Sequence, residues 1–132
     1  MITNSKEILQ EAKKNKKAIP QFNINNLEWT KFILEECNKN NSPVILGISE
    51  SAIKYMGGYK LVSNLIKNLD EEFNLEIPVV IHLDHGSSIE SCKKAIDNGF
   101  TSVMYDGSKL SIEENIKNTK EVVKYAEKYN VS

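Results

Sequence analysis

The sequence contains no arginine, a single tryptophan and only two cysteines. Seventeen lysines stand against 18 acidic residues, for a formal net charge of −1, so the basic excess typical of proteins that bind nucleic acid or anionic membranes is missing. Cys37 and Cys92 stand alone in predicted helices and indicate buried thiols, not a disulfide framework or a C-x-x-C site. Apolar runs of 18 residues and a charged-then-apolar leader are also missing, so we expect a cytoplasmic protein.

What is present is the composition of one folded domain. The 132 residues are 40% hydrophobic and 27% charged, and domains commonly run to about 100–150 residues. Short apolar runs alternate with stretches of helical periodicity and no linker separates them. The pattern predicts an opening helix followed by four β-α units. The predicted helices are 5–15, 27–38, 62–73, about ten residues after Ser87, and 112–128, and the predicted strands are 18–23, 44–48, 78–83 and 101–105.

Several side chains are expected to define the helix faces and ends. Ser87 with Glu90 fits a helix capping box, and Gly99 stands where a left-handed helix end belongs. Apolar spacing predicts the buried faces of the second and last helices. The residues expected there are Trp29, Phe32, Ile33 and Cys37 in the second helix, and Ile112, Ile116, Val123 and Ala126 in the last.

Strands joined by helical crossovers form parallel sheets with right-handed connections. At this length two architectures are open. One is a doubly wound open sheet of flavodoxin type, and the other is the first half of a (β/α)8 barrel, whose usual length is about 250 residues. In both, functional residues gather where strands end and loops begin.

Polar side chains stand at all four predicted strand ends. Asp84 and His85 follow the third strand and offer a proton-transfer group and a metal ligand, since neutral imidazole commonly binds zinc. On spacing alone they fit a helix cap slightly better. Asp106 fits a metal ligand, a base or a turn cap, and Asn23 and Ser49 suit either hydrogen bonds to a substrate oxygen or turn formation. His82 lies deeper in its strand, and we interpret it as a core histidine.

Taken together, these segments resemble the class II, zinc-dependent fructose-bisphosphate aldolases. The resemblance spans the chain in order. It is carried by 21–28 (QFNINNLE), 42–50 (SPVILGISE), 54–58 (KYMGG), 99–108 (GFTSVMYDGS) and above all 82–88 (HLDHGSS).

The resemblance implies a (β/α)8 barrel that reversibly cleaves fructose 1,6-bisphosphate into dihydroxyacetone phosphate and glyceraldehyde 3-phosphate, a step of glycolysis and gluconeogenesis. It implies that Asp84 is the catalytic proton donor and that His85 is one of three zinc-binding histidines. Asp106 matches a carboxylate of a second metal site, Ser49 a contact to glyceraldehyde 3-phosphate, and Asn23 a substrate-side asparagine. A zinc ion would act as a Lewis acid on the enediolate formed by C–C cleavage.

The family's remaining zinc histidines and its glycine-rich phosphate segments have no counterpart in this sequence. We therefore expect residues 1–132 to be a single incomplete domain, the N-terminal half of an aldolase barrel, and to be inactive alone. Exposed strand edges predict aggregation or dimerisation of the chain, and we expect a homodimer or larger assembly of the full-length protein.

Two kinds of alternative remain. Tagatose-bisphosphate aldolase shares the chemistry and differs at one stereocentre, although the Gly86-Ser87-Ser88 continuation favours fructose. A Schiff-base aldolase is disfavoured because no lysine lies within a predicted strand. From another class, a non-catalytic flavodoxin-like binding domain fits the length, but a phospho-receiver would need acidic residues at the first strand end, where Asn23 and Asn25 stand.

Overall fold

A computed structural model describes all 132 residues and contains six helices and four strands. The elements are α1 (Ser5–Lys14), β1 (Gln21–Asn23), α2 (Leu27–Lys39), β2 (Val44–Ser49), α3 (Glu50–Tyr55), α4 (Tyr59–Glu72), β3 (Val79–Gly86), α5 (Ile89–Asp97), β4 (Ser102–Tyr105) and α6 (Ile112–Lys128). This is the predicted opening helix followed by four β-α units, with α3 as an additional short helix after β2.

The four strands form one parallel sheet in the order β1-β2-β3-β4. Sequential strands lie side by side, as they do around one half of a (β/α)8 barrel, whereas a doubly wound sheet changes strand order at a switch point. The predicted architecture is therefore confirmed at the level of the sheet. Its parallel register places all four carboxyl ends at the same edge.

Alternation along the strands divides the core in two. Every second residue of β2, and of β3 as far as Leu83, faces the helices and is fully buried in a cluster of 18 residues. On the opposite face, α1 covers the amino-terminal end of the sheet, where Ile8 packs against Ile45 and Val80. Farther along that face, toward the carboxyl ends of the strands, polar side chains replace the apolar ones.

The structure corrects three predictions about helix faces and ends. The α2 helix buries Thr30, Leu34 and Cys37, while Trp29 and Phe32 are exposed. In α6, Val122 and Ala126 are buried, and the predicted positions Ile112, Ile116 and Val123 are exposed. In both helices the buried stripe is offset from the predicted one, with Thr30 buried in place of Trp29 in α2 and Val122 in place of Val123 in α6. The capping box of α5 uses Ser88 and Ser91 instead of Ser87 and Glu90, because the side chain of Ser87 bonds elsewhere.

Two strands differ by three residues at one end from their predicted bounds, and the other two differ by a single residue. The first strand is only three residues long, since β1 is an edge strand that begins after Pro20, which has no N–H to donate. The third strand runs on to Gly86, so His85 belongs to β3 and does not open a loop. Gly99 has a φ of 89° just after α5, as expected for a left-handed helix end.

None of the helices is both long and apolar enough to serve as a membrane span.

Candidate active site

Four of the five predicted site residues form one chain of contacts across three strand ends. The Asn23 side chain donates from Nδ2 to Asp84 Oδ2 at 3.1 Å. Asp84 Oδ1 lies 3.8 Å from His85 Nε2. His85 Nδ1 in turn lies 2.8 Å from Asp106 Oδ2. The residues of β1, β3 and the β4 end that the sequence placed at one edge are thus brought together.

The local backbone explains how His85 reaches Asp106. The β3–β4 register shifts between Leu83 and Gly86, and His85 adopts a left-handed φ of 54°. A non-glycine residue rarely takes this conformation, which is costly and tends to occur at functional sites. The bend places the imidazole over the end of β4, where the Asp106 amide donates to the Gly86 carbonyl at 2.9 Å.

The electrostatics of the His85–Asp106 pair determine which ring nitrogen carries the hydrogen. Hydrogen bonds from Ser108 and from His85 hold the pKa of the Asp106 carboxyl well below its usual range, so it is an anion near neutral pH. An anionic carboxylate can only accept, and therefore Nδ1 of His85 carries the hydrogen and donates. The bond to Asp106 and the nearby charge of Asp84 raise the pKa of His85. In the neutral ring, Nε2 is the nitrogen with a free lone pair.

Ser49 lies beside this network but is not part of it. It pairs with Asp84 in the β2–β3 register and caps α3, where its Oγ accepts from the Ala52 amide at 3.2 Å and lies 2.9 Å from Ser51 Oγ. With Asn23 it lines an open cavity of about 340 Å³. The other lining residues are Ile24, Asn25, Trp29, Ser51, Ala52 and Tyr55.

His82 has a structural environment, in line with its interpretation as a core histidine. Its Nδ1 lies 2.8 Å from Ser102 Oγ, on the neighbouring strand β4. Burial lowers the pKa of His82, an effect that the charge of Asp84 partly opposes. The neutral ring is therefore the form that this position favours.

Sequence reasoning missed Glu50, which follows Ser49 directly. Its carboxylate accepts from the backbone amide of Ser87 at 3.1 Å and from the Ser87 hydroxyl at 2.8 Å. Burial raises the pKa of Glu50. The nearby Ser91 hydroxyl and the hydrogen bonds from Ser87 together lower it by more, so the net shift of the pKa is downward. A carboxylate immediately after a strand end was the available signal.

The arrangement fits a zinc ion only in part. His85 offers a ring nitrogen whose partner nitrogen is already held by a carboxylate, as is usual for metal-bound histidines. However, the chain contains no group of three or more His, Cys, Asp or Glu side chains placed to hold a metal ion. Catalytic zinc typically takes three protein ligands, so these residues alone do not complete a site.

A parallel β/α sheet with its polar side chains gathered at the carboxyl ends of the strands is the half-barrel arrangement of (β/α)8 enzymes. The family model described as "Fructose-bisphosphate aldolase class-II" matches residues 3–132. The chain belongs to this family, as its motifs predicted.

Curated relatives of the chain carry the names of two different aldolases. The chain is 56% identical to a fructose-bisphosphate aldolase of Geobacillus stearothermophilus, over 99% of the chain and 46% of that protein. It is 58% identical to a 6-phospho-5-dehydro-2-deoxy-D-gluconate aldolase of Bacillus licheniformis, over 96% of the chain and 44% of that protein. The chain spans about half the length of these curated relatives.

Solved structures share the fold. The YdjI aldolase of Escherichia coli K12 superposes with a TM-score of 0.90 at 27% identity, over 99% of this chain and 48% of that one. A fructose-bisphosphate aldolase of Campylobacter jejuni, 23% identical, superposes with a TM-score of 0.87 over 99% of this chain and 45% of that one. The second likeness is evidence for the fold alone.

Proposed function

We propose that residues 1–132 provide the proton-transfer and aldehyde-binding part of a class II aldolase that reversibly cleaves fructose 1,6-bisphosphate into dihydroxyacetone phosphate and glyceraldehyde 3-phosphate. The observation that carries the proposal is the network of contacts that joins Asn23, Asp84, His85 and Asp106 at the strand ends. The protein that contains this network belongs to the class II aldolase family. In this proposal the chain is the first half of a (β/α)8 barrel.

Asp84 is the proton-transfer group. In the cleavage direction the C4 hydroxyl loses its proton, the C3–C4 bond breaks, and the electron pair moves toward the C2 carbonyl to give an enediolate. The Asp84 carboxylate takes up the hydroxyl proton, and in the condensation direction it returns the proton to the new C4 oxygen. The amide of Asn23 fixes Asp84 by donating to Oδ2.

His85 is proposed as one zinc ligand, through Nε2, while Nδ1 donates to Asp106. When bound, zinc supplies Lewis-acid stabilisation of the enediolate. Asp106 stays a prediction as a ligand of a second divalent metal. Both of its oxygens accept hydrogen bonds within the chain, from His85 and from the Ser108 amide, so it also orients the imidazole.

The relatives raise a second candidate substrate, 6-phospho-5-dehydro-2-deoxy-D-gluconate. Retro-aldol cleavage next to its ketone releases the same dihydroxyacetone phosphate. The aldehyde fragment, however, ends in a carboxylate where the fructose product ends in a phosphate. The choice between these substrates therefore belongs to the aldehyde side of the site, which we assign to Asn23, Ser49 and their shared cavity.

The test is a substrate comparison. The gene product that carries residues 1–132 is loaded with zinc and assayed for dihydroxyacetone phosphate release from fructose 1,6-bisphosphate, tagatose 1,6-bisphosphate and the phosphogluconate derivative. We expect the highest kcat/KM on fructose 1,6-bisphosphate and loss of cleavage after chelation of zinc. A higher kcat/KM on another substrate would overturn the assignment of fructose 1,6-bisphosphate as the substrate. Absence of cleavage of all three substrates would overturn the aldolase proposal.

A further inference from the structure

Glu50 connects two strand ends that are far apart in the sequence. It is the first residue of α3, directly after β2, and its carboxylate holds Ser87, which follows β3. Oε1 accepts from the Ser87 amide and hydroxyl, both at 3.1 Å, and Oε2 accepts from the same hydroxyl at 2.8 Å. Hydrogen bonds to an ionised acceptor are stronger than those between neutral groups.

The segment that Glu50 holds includes the strained residue of the site. His85 has the left-handed φ of 54°, and Gly86 follows it in a position with no room for a side chain. On one side, the Gly86 carbonyl accepts from the Asp106 amide at 2.9 Å. On the other side, the next residue, Ser87, is held by Glu50. His85 therefore lies next to a segment that is tied to both neighbouring strand ends.

We propose that Glu50 is a positioning residue, which holds His85 in its left-handed conformation through Ser87 and so keeps the imidazole between Asp84 and Asp106. Glu50 makes no hydrogen bond to any of these three side chains, and it acts on them through Ser87 and the backbone that joins Ser87 to His85. The inference deepens the proposed function and rests on it, because it gives Glu50 a role in the same reaction.

The conformational arm of the test uses the 132-residue chain without metal. Backbone carbon shifts and the HN–Hα coupling of His85 report its φ angle, and the ¹⁵N shift of Nδ1 reports the bond to Asp106. We expect Glu50→Ala to move all three away from their wild-type values. Glu50→Gln keeps a carbonyl that can accept from the Ser87 amide, so it should restore most of the wild-type signature.

The matched control is Glu121→Ala. This exposed carboxylate of α6 holds Lys93 of α5 at 2.6 Å and contacts neither Ser87 nor the strand ends. We expect it to leave the His85 signals unchanged. Unchanged His85 signals in Glu50→Ala would overturn the positioning role. If Glu50→Ala does not fold, Glu50→Leu replaces it, because leucine keeps much of the bulk but has no oxygen to accept from Ser87, and a wild-type His85 signature in Glu50→Leu would overturn the positioning role equally.

The kinetic arm uses the zinc-loaded gene product that carries residues 1–132. We expect Glu50→Ala to lower kcat by about 10–100-fold, the usual cost of losing a partner that orients a ligand, with little change in KM and with recovery in Glu50→Gln. If the wild type cleaves no substrate, the proposed function fails while the conformational arm still stands. A Glu50→Ala enzyme with wild-type kcat overturns the positioning role and leaves the proposed function intact.

Discussion

His82 and His85, the two histidines of the chain, lie three positions apart on one strand and have opposite electrostatic environments. His85 donates to an anionic carboxylate at the exposed edge of the sheet, which raises its pKa. Burial between strands lowers the pKa of His82. The same residue type is therefore tuned toward the charged form at one position and the neutral form at the other.

The first prediction is that the two rings titrate on opposite sides of the ordinary histidine pKa of about 6.5. In the metal-free chain, the Cε1–H resonance of His85 should titrate above that value and that of His82 below it. Asp106→Asn removes the main cause of the upward shift and should lower the His85 midpoint while leaving that of His82 in place. Coincident titrations in the wild type would contradict this assignment of the environments.

The second prediction concerns stability below neutral pH. Because the pKa of His82 is lowered on folding, its contribution to stability is fully present above about pH 6.5 and is lost as the pH falls toward its folded pKa. One such group changes the free energy of unfolding by at most about 1.4 kcal/mol per pH unit. His82→Gln should flatten the slope of urea-unfolding free energy between pH 6.5 and 5. An equally steep slope in the variant would show that folding does not lower the pKa of His82.

At the scale of the elements, β3 depends on a glycine at the point where it bends. A methyl group at Gly86 would lie 2.7 Å from Cys92 Sγ and 3.0 Å from the Met104 carbonyl. A methyl group at Gly47, in the adjacent strand β2, would meet only the flexible side chain of Gln21, at 3.0 Å. Both positions are in strands, but only the first is enclosed by backbone and core.

The third prediction is that Gly86→Ala destabilises the chain by about 1–3 kcal/mol, the usual cost of overpacking. Gly47→Ala is the matched control and should cost clearly less, because the Gln21 side chain can move away. The measurement is the free energy of unfolding in urea at neutral pH. Equal costs for the two variants would contradict the tight packing described around Gly86.

The elements differ in how far the sequence predicted them. Alternating apolar runs and helical periods were enough to predict the parallel sheet, because β2 and β3 are both buried on two faces near their amino-terminal ends. The predictions of the buried faces of α2 and α6 were wrong at Trp29 and Ile112, since periodicity does not say which apolar residues of a wide stripe meet the sheet. The extra turn of α3 was missed because only six residues separate Ser49 from Met56.

At the scale of the whole molecule, the sheet has two edges. β1 pairs only with β2, and β4 pairs with β3 and with the backbone of Ser132, whose carbonyl accepts from the Val103 amide at 2.9 Å. Phe22 on β1 and Met104 on β4 are partly exposed at these edges. Unpaired strand edges with apolar side chains favour association with another chain.

The fourth prediction is that the isolated 132-residue chain self-associates. Sedimentation velocity over a range of concentrations should show a sedimentation coefficient that rises with concentration. Phe22→Lys places a charge on the β1 edge and should shift the distribution toward monomer, whereas Leu9→Lys, an exposed substitution on α1 away from both edges, should not. A wild-type chain that sediments as a monomer at all concentrations would contradict the prediction.

The site, viewed across the molecule, was predictable as a set of residues but not as a network. Strand ends of a parallel sheet share one edge, so Asn23, Asp84, His85 and Asp106 could be placed together from sequence. The contact of His85 with Asp106 depends on a left-handed backbone within β3, and the bond of Glu50 to Ser87 joins residues 37 positions apart. Neither has a signature in local sequence.

The most direct test of the account is the cleavage rate of fructose 1,6-bisphosphate by the Asp84→Asn variant of the zinc-loaded gene product that carries residues 1–132. The amide keeps the shape of the side chain but cannot take up the C4 hydroxyl proton. We predict that kcat falls by about 10²–10⁴-fold, the usual contribution of a positioned acid–base group, while bound zinc stays at the wild-type level. A variant that cleaves at the wild-type rate would contradict the role of Asp84.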